Sequence, residues 1–275
     1  MARYSIVYFH GDQAGAGASR YLVEVLRAKP GKCPGSPECY VSEEAVIAGF
    51  NVDVVNMEFL DESPDPAAEA VIVLSRHKAE SGRKTLSVHH TGNPTGRAWG
   101  GEPYKLSTSY PALSKALLTS YAKTALEHNL EEYSVTLEAT HHGPTKPSKP
   151  IVFIEIGSTE KEWADERARI AMALAVAETI SRRIPECSPA TGIGGTHYPE
   201  KFTKIQLETE TCLGHIISKH QIDEGVPDHA IKQAIEKTYP QKAQKIIAEK
   251  KSLKSEQRKK LEELAKQLET KIEYR

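Results

Sequence analysis

Pro150-Ile151-Val152-Phe153-Ile154-Glu155-Ile156 is a short, nearly all-apolar run, and Gly157-Ser158-Thr159-Glu160-Lys161 follows it at once. An apolar run of this length, bounded by Pro and Gly and rich in Ile and Val, reads as a strand buried on both faces. Ser158-Thr159-Glu160-Lys161 then offers a cap with an acid in the first turn, and Ala-rich periodicity carries a helix to about Arg183. A strand leading straight into a helix is half of a βαβ unit, the building block of parallel sheets.

The same alternation extends outward. Ser5-Ile6-Val7-Tyr8-Phe9 reads as a strand, followed by a small-residue turn over 11–17 and a helix over 19–26. The turn glycines fit neither the dinucleotide fingerprint nor the P-loop, so a nucleotide fold is not read from them. A second strand is expected over 52–57, a central one over 70–74, and further strands over 84–90 and 133–139, with a helix over 109–129. Beyond about residue 228 the chain is Lys-rich and reads as helical, with Leu253, Leu261, Leu264, Leu268 and Ile272 at helical spacing. The expected architecture is a single three-layer α/β domain over 1–275 with a mostly parallel sheet. It comprises a core over 1–227 and a helical Lys-rich C-terminal extension over 228–275.

At 275 residues, 39% hydrophobic and 27% charged, the chain can bury a sizeable core without disulfides. Cys33 and Cys39 lack the two-residue spacing of a zinc knuckle, and free turn thiols are expected, with a disulfide or metal clip as the alternative. A net charge of −1 excludes a global basic field. Met-Ala-Arg-Tyr runs directly into a strand, and no apolar span of about 18 residues occurs. A cytoplasmic protein without a membrane partner is expected.

Two histidine doublets carry the chemistry. His89-His90 and His141-His142 each sit where an apolar run gives way to a loop, as do His77 and His197. In open parallel sheets the functional crevice lies beyond the carboxyl ends of the strands, which is where this pattern places all six histidines. Glu138 and Glu155 lie within the strands. Consecutive strand residues point to opposite faces, so one member of each doublet should face the site, unless the strand breaks there. Imidazoles with carboxylates can hold a zinc ion with an open position, or work as acid and base. His142, His89, Glu138 and Glu155 are the catalytic candidates, and His90, His141 and His197 the metal candidates. Gly92, Asn93, Gly143, Gly157, Ser158, Gly194 and Gly195 place loop amides near the same edge, with Gly157-Ser158 at a helix start the best anion cradle.

Several of these segments, in order, resemble the archaeal and plant type of D-aminoacyl-tRNA deacylase. They are Ser75-Arg76-His77-Lys78-Ala79-Glu80-Ser81-Gly82, Val88-His89-His90-Thr91-Gly92-Asn93, Glu138-Ala139-Thr140-His141-His142-Gly143-Pro144, Glu155-Ile156-Gly157-Ser158-Thr159-Glu160-Lys161-Glu162-Trp163 and Gly192-Ile193-Gly194-Gly195-Thr196-His197-Tyr198. The resemblance implies a phosphorylase/hydrolase-like fold, a monomer and zinc dependence with one or two ions. The implied reaction is hydrolysis of the ester between a D-amino acid and the tRNA 3′ end. The single-stranded acceptor end would then need stacking aromatics, for which Trp99, Tyr104, Tyr110 and Tyr198 are candidates. Its phosphates would need cations, for which Arg76, Lys78, Arg83, Lys84 and the Lys-rich tail are candidates, and His77 is a further substrate-binding candidate. A zinc peptidase or amidohydrolase acting on a small molecule, and a non-catalytic RNA-binding module, are the competing readings.

Overall fold

The structure is a computed structural model and describes residues 2–275. Strands β1 (Tyr4–Phe9), β2 (Lys29–Pro30), β3 (Glu38–Val41), β4 (Ala45–Phe50), β5 (Ala70–Lys78), β6 (Thr85–His89), β7 (Ser134–Leu137) and β8 (Ile151–Ser158) form one sheet. Its order is β2-β3-β4-β1-β5-β8-β6-β7. A second sheet, not expected from the sequence, joins β9 (Ser188–Ile193), β10 (Thr211–Ile217), β11 (Lys245–Ala248) and β12 (Lys271–Tyr274) in the order β10-β9-β11-β12. Its pairings are all parallel, and most pairings of the large sheet are parallel too. The α/β class and the mostly parallel sheet stand as expected. Among the described residues, no helix is long and apolar enough to cross a membrane.

The helices are α1 (Gln13–Val25), α2 (Pro111–Glu127), α3 (Glu160–Trp163), α4 (Glu166–Ile180), α5 (Glu200–Glu208), α6 (Lys219–Glu224), α7 (Asp228–Glu236) and α8 (Ser255–Gln267). Helix α1 starts at Gln13, ahead of the expected 19, because buried Asp12 accepts the amides of Ala14 and Gly15 at 2.9 and 3.0 Å. Gly15 lets this turn press on β5, since a Cβ there would lie 2.3 Å from the Leu74 carbonyl oxygen. Helices α1, α2 and α4 pack with Ile6, Ile72, Leu86, Val88, Ile154 and Ile156 on one face of the large sheet. Helices α2 and α5 touch both sheets and tie them together.

The opposite face carries Val7, Val71, Val73, Ile151 and Phe153, and among the described residues no α-helix joins their cluster. The loop residues Val54, Val55, Met57 and Leu60 cover part of it instead. The expected strand over 52–57 is therefore corrected to a 3-10 turn at Val54–Asn56, where the Asp53 carboxylate accepts the Val55 amide. The strand beside β1 is β4, whose Ala45-Val46-Ile47-Ala48 run pairs with Tyr4–Val7.

Two other expectations change. All four cysteines pair, as Cys33–Cys39 and Cys187–Cys212. The second bridge follows from β9–β10 pairing, which sets Cys212 opposite Pro189, two residues after Cys187. The Lys-rich extension contains helices α7 and α8 but also β11 and β12. Leu261 and Leu264 lie within α8, whereas Leu253 is in a loop and Ile272 in a strand. Helical spacing arises there by coincidence of a strand following a helix, and β11 draws its strand character from pairing with β9.

Candidate active site

This second face of the large sheet is where the polar side chains converge. Register sets Ser75, Glu155 and Ser87 side by side across β5, β8 and β6, with His77, Gly157 and Thr85 in the next row and Phe153 beside His89. Alternation along each strand puts all of these on one face. The expected position beyond the carboxyl ends of a parallel sheet is corrected here. Strand β6 runs antiparallel to β8, so the ends of β5 and β6 lie at opposite edges and their histidines meet over the face between them.

His90 lands on the other face, as alternation requires. Its Nδ1 donates to the Ile151 carbonyl at 3.0 Å and its ring stands 5.8 Å from His215. It joins none of the clustered donor groups among the described residues. The second doublet behaves differently. The strand has ended by then, and the chain crosses the face through Ala139 and Thr140, whose amides bind the carbonyls of His197 and Ile216. His142 has φ 45°, a left-handed conformation, and this lets both His141 and His142 turn inward, with ring centroids 4.3 Å apart.

Glu138 is the hub. Its Oε2 lies 2.9 Å from His197 Nε2, 3.1 Å from His77 Nδ1 and 3.6 Å from His141 Nε2. Glu155 Oε2 lies 3.4 Å from both His77 Nδ1 and His89 Nε2. These approaches are close but poorly aligned. Both Glu138 oxygens, Glu155 Oε2 and His89 Nε2 are buried without a hydrogen-bond partner. Buried polar atoms without partners are costly, so a cluster of this composition is suited to receive a cation.

The tautomers agree. His89 Nδ1 lies 3.2 Å from the His90 carbonyl oxygen, His141 Nδ1 2.9 Å from that of Ala139, and His142 Nδ1 2.7 Å from that of Gly143. A carbonyl can only accept, so each Nδ1 carries the proton and each Nε2 of a neutral ring presents a lone pair. Backbone-anchored Nδ1–H groups of this kind orient metal-binding histidines. Three donor sets are compact: His89, His141 and His142; His77, Glu138, His141 and His197; and His89, Glu138 and Glu155.

Burial opposes charge on His77, His89, His141 and His142, and the carboxylates decide which of them overcome it. His77, between Glu138 and Glu155, is pushed up to about 11 despite burial. His89 is also raised, by Glu155. Burial and the neighbouring histidines hold His141 well below the usual imidazole range, and burial beside His89 brings His142 to about 4. Burial alone would raise the two carboxylates, yet His197 and His77 hold Glu138 well below its ordinary value, and His89 and His77 bring Glu155 to about 2. Without a metal, the cluster is thus a set of carboxylates and cationic imidazoles beside neutral ones.

Two cavities open onto the cluster. One of about 770 Å³ is lined by Gly92, Asn93, Gly195, Lys219 and His220, and one of about 420 Å³ by Asp53, Arg76, Lys78 and Tyr198. His141, His142, His197 and Trp99 wall both.

The amide cradles expected from glycine turns are mostly occupied. The Gly92 amide binds the His142 carbonyl, and Gly143 that of Trp99. Asn93 holds the loop beyond it through the Gly100 and Glu102 carbonyls. Gly157 and Ser158 sit inside the β5–β8 ladder, and the helix start belongs to Thr159, whose amide is taken by Glu162. The Gly194 amide binds the Ile217 carbonyl and that of Gly195 binds Ser252 Oγ. Arg76 donates to the Gly11 carbonyl and lies over Trp163, and Lys78 is exposed at the rim. His77, expected as a substrate contact, lies at the heart of the cluster, with Nε2 2.7 Å from the Tyr198 hydroxyl.

Sequence reasoning passed over His215. It is fully buried, with Nε2 3.0 Å from the Ser107 carbonyl oxygen and Nδ1 3.1 Å from Thr140 Oγ1, so it holds the approach to His141 as a neutral ring. Burial and His90 lower it to about 3. A free histidine takes its proton near 6.5, so this group's contribution is complete above that pH and is lost as pH falls towards 3. By pH 5 the loss is about 2 kcal/mol. Denaturant unfolding at pH 7 and pH 5 checks this, and His215→Gln should show a smaller acid-induced loss than the native chain.

A family model described as D-aminoacyl-tRNA deacylase matches residues 64–273. A protein of Aeropyrum pernix named D-aminoacyl-tRNA deacylase is 52% identical over 99% of this chain and 99% of its own length. One of Staphylothermus marinus with the same name is 40% identical over 96% of each chain. The crystal structure of a conserved protein of unknown function, AF0625, superposes with a TM-score of 0.91 at 29% identity, covering 99% of this chain and 95% of that one. With the buried His/Glu cluster and a family match across most of its length, this chain belongs to the D-aminoacyl-tRNA deacylase family.

Proposed function

We propose that this chain hydrolyses the ester joining a D-amino acid to the 3′-terminal ribose of tRNA, and that a zinc ion held in the cluster assists it. Membership of the deacylase family carries the reaction, and the buried donors without partners carry the metal. His89, His141 and His142 would hold the ion through their Nε2 atoms, because each Nδ1 is already committed to a carbonyl. The second set, His77, Glu138, His141 and His197, shares His141 with the first and is the alternative seat, or the seat of a second ion. When bound, zinc supplies Lewis acidity and a water ionised near neutral pH.

The chain's own residues supply the rest. His197 is the half-exposed member of the cluster, and Glu138 holds its Nε2 at 2.9 Å. That arrangement suits His197 to take a proton from water at the cavity wall while Glu138 stabilises the resulting charge. Glu155 and His77 form the supporting ion pair, and the Tyr198 hydroxyl fixes the far side of His77. His90 has no part in this centre and acts as packing against His215. The enzyme is proposed as a monomer. The second sheet takes strands from both sides of residue 228, which supports a single unit over 1–275.

The test is release of amino acid from D- and L-tyrosyl-tRNA. Fast release from the D form, slow release from the L form, loss after chelation and recovery with zinc are expected. Equal release from both, or none from either, overturns the reaction, and chelator-resistant turnover by metal-free protein overturns zinc.

A further inference from the structure

An aminoacyl ester has two dissimilar halves, and the cluster lies between two dissimilar cavities that share one aromatic wall. Trp99 belongs to both and is 63% exposed, although its backbone is fixed. Its amide donates to Asn93 Oδ1 at 3.4 Å and its carbonyl accepts the Gly143 amide at 2.9 Å. Gly100, at φ +65°, clamps the next turn, since a Cβ there would lie 2.2 Å from the Val55 carbonyl oxygen. The indole meets His142 edge-on at 5.8 Å between ring centroids. A rigidly mounted, solvent-facing indole beside buried imidazoles has no packing role to explain it.

The other aromatics are already engaged. Tyr110 is buried and bonds Glu69, Tyr198 is committed to His77, and Tyr104 packs on His229. The larger cavity also holds Lys219, exposed and without an ion pair among the described residues, and His220. Arg97 is tied to Glu224 at 2.6 Å. The smaller cavity has polar walls, with Asp53, Ser75 and Ser81 beside Arg76 and Lys78.

Resting on the deacylase reading, we infer that Trp99 is the stacking platform for the 3′-terminal adenine. The nucleotide then occupies the larger cavity, with Lys219 towards its phosphate, and the aminoacyl group enters the smaller one, with its ammonium towards Asp53. The scissile ester lies between them over His141, His142 and His197. Trp99 acts as a positioning residue and takes no part in proton transfer.

The probe is the deacylated trinucleotide CCA, followed by tryptophan emission. The chain has two tryptophans, and Trp163 is buried against Arg76, so quenching reports Trp99. CCA should quench the native chain, a CC dinucleotide should quench it weakly, and Trp99→Phe should abolish the signal. Trp99→Ala should raise KM for D-tyrosyl-tRNA roughly five- to hundredfold with kcat within about threefold, and Trp99→Phe should restore most of the KM. Absence of quenching by CCA, quenching by D-tyrosine methyl ester instead, or an unchanged KM in Trp99→Ala overturns the assignment. Failure of the native chain to deacylate D-tyrosyl-tRNA defeats the functional reading separately, and the CCA titration does not depend on turnover.

Discussion

His141→Ala should lose at least about a hundredfold in deacylation of D-tyrosyl-tRNA and most of its bound zinc, because this residue belongs to both the four-donor set and the three-histidine set. No other histidine is common to the two. Its Nδ1 is anchored on the Ala139 carbonyl, and its low basicity keeps the Nε2 lone pair available at neutral pH. The measurements are metal content by elemental analysis and single-turnover rate. His90→Ala is the control. It lies on the opposite face and should retain metal and rate, apart from a loss of stability from the vacated space. Full metal occupancy in His141→Ala would remove the assignment of the zinc seat.

Glu138→Gln should lower kcat by about a hundred- to ten-thousandfold with little change in KM, the range expected when a proton-handling group is disabled. The amide keeps the shape but removes the charge that holds His197 and His77. It should also alter stability at high pH. In the native chain His77 keeps its proton up to about 11, against 6.5 when free, so its stabilisation is complete below 6.5 and is lost as pH rises through 11. Glu155 titrates near 2, so its share is complete above about 4.5 and is lost as pH falls through 2. With Gln at 138 only Glu155 remains to support His77, so the alkaline loss, which still starts near 6.5, should be smaller and complete at a lower pH. Thermal unfolding of metal-free protein between pH 6 and 11 follows this, and a curve identical to that of the native chain would show that Glu138 does not support His77.

The central strands were readable because buried strands advertise themselves as apolar runs, and β5 and β8 are such runs. Glu155 was readable as functional because a carboxylate inside that pattern needs a partner. The doublets were readable as a site from residue type alone. The alternation Thr85-Ser87-His89 against Leu86-Val88-His90 also carries a polar-versus-apolar signal that by itself sorts His89 from His90.

Strand direction was not readable. Whether β6 runs with or against β8 depends on long-range pairing, and it moved the site from a sheet edge to a sheet face. The same holds for the second sheet, whose C-terminal strands are too short and polar to stand out alone and exist because β9 offers an edge. The glycine amides looked free because local pattern cannot tell which carbonyl a distant segment will bring to them.

Residue type and local period thus determined the α/β class, the family resemblance and the chemistry on offer, since these depend on near neighbours and on side-chain identity. Tertiary structure alone decided that His77 joins the cluster and that His141 and His142 both enter. Those outcomes follow from register, from the antiparallel turn of one strand and from a left-handed backbone at His142, each settled by contacts between residues far apart in the chain.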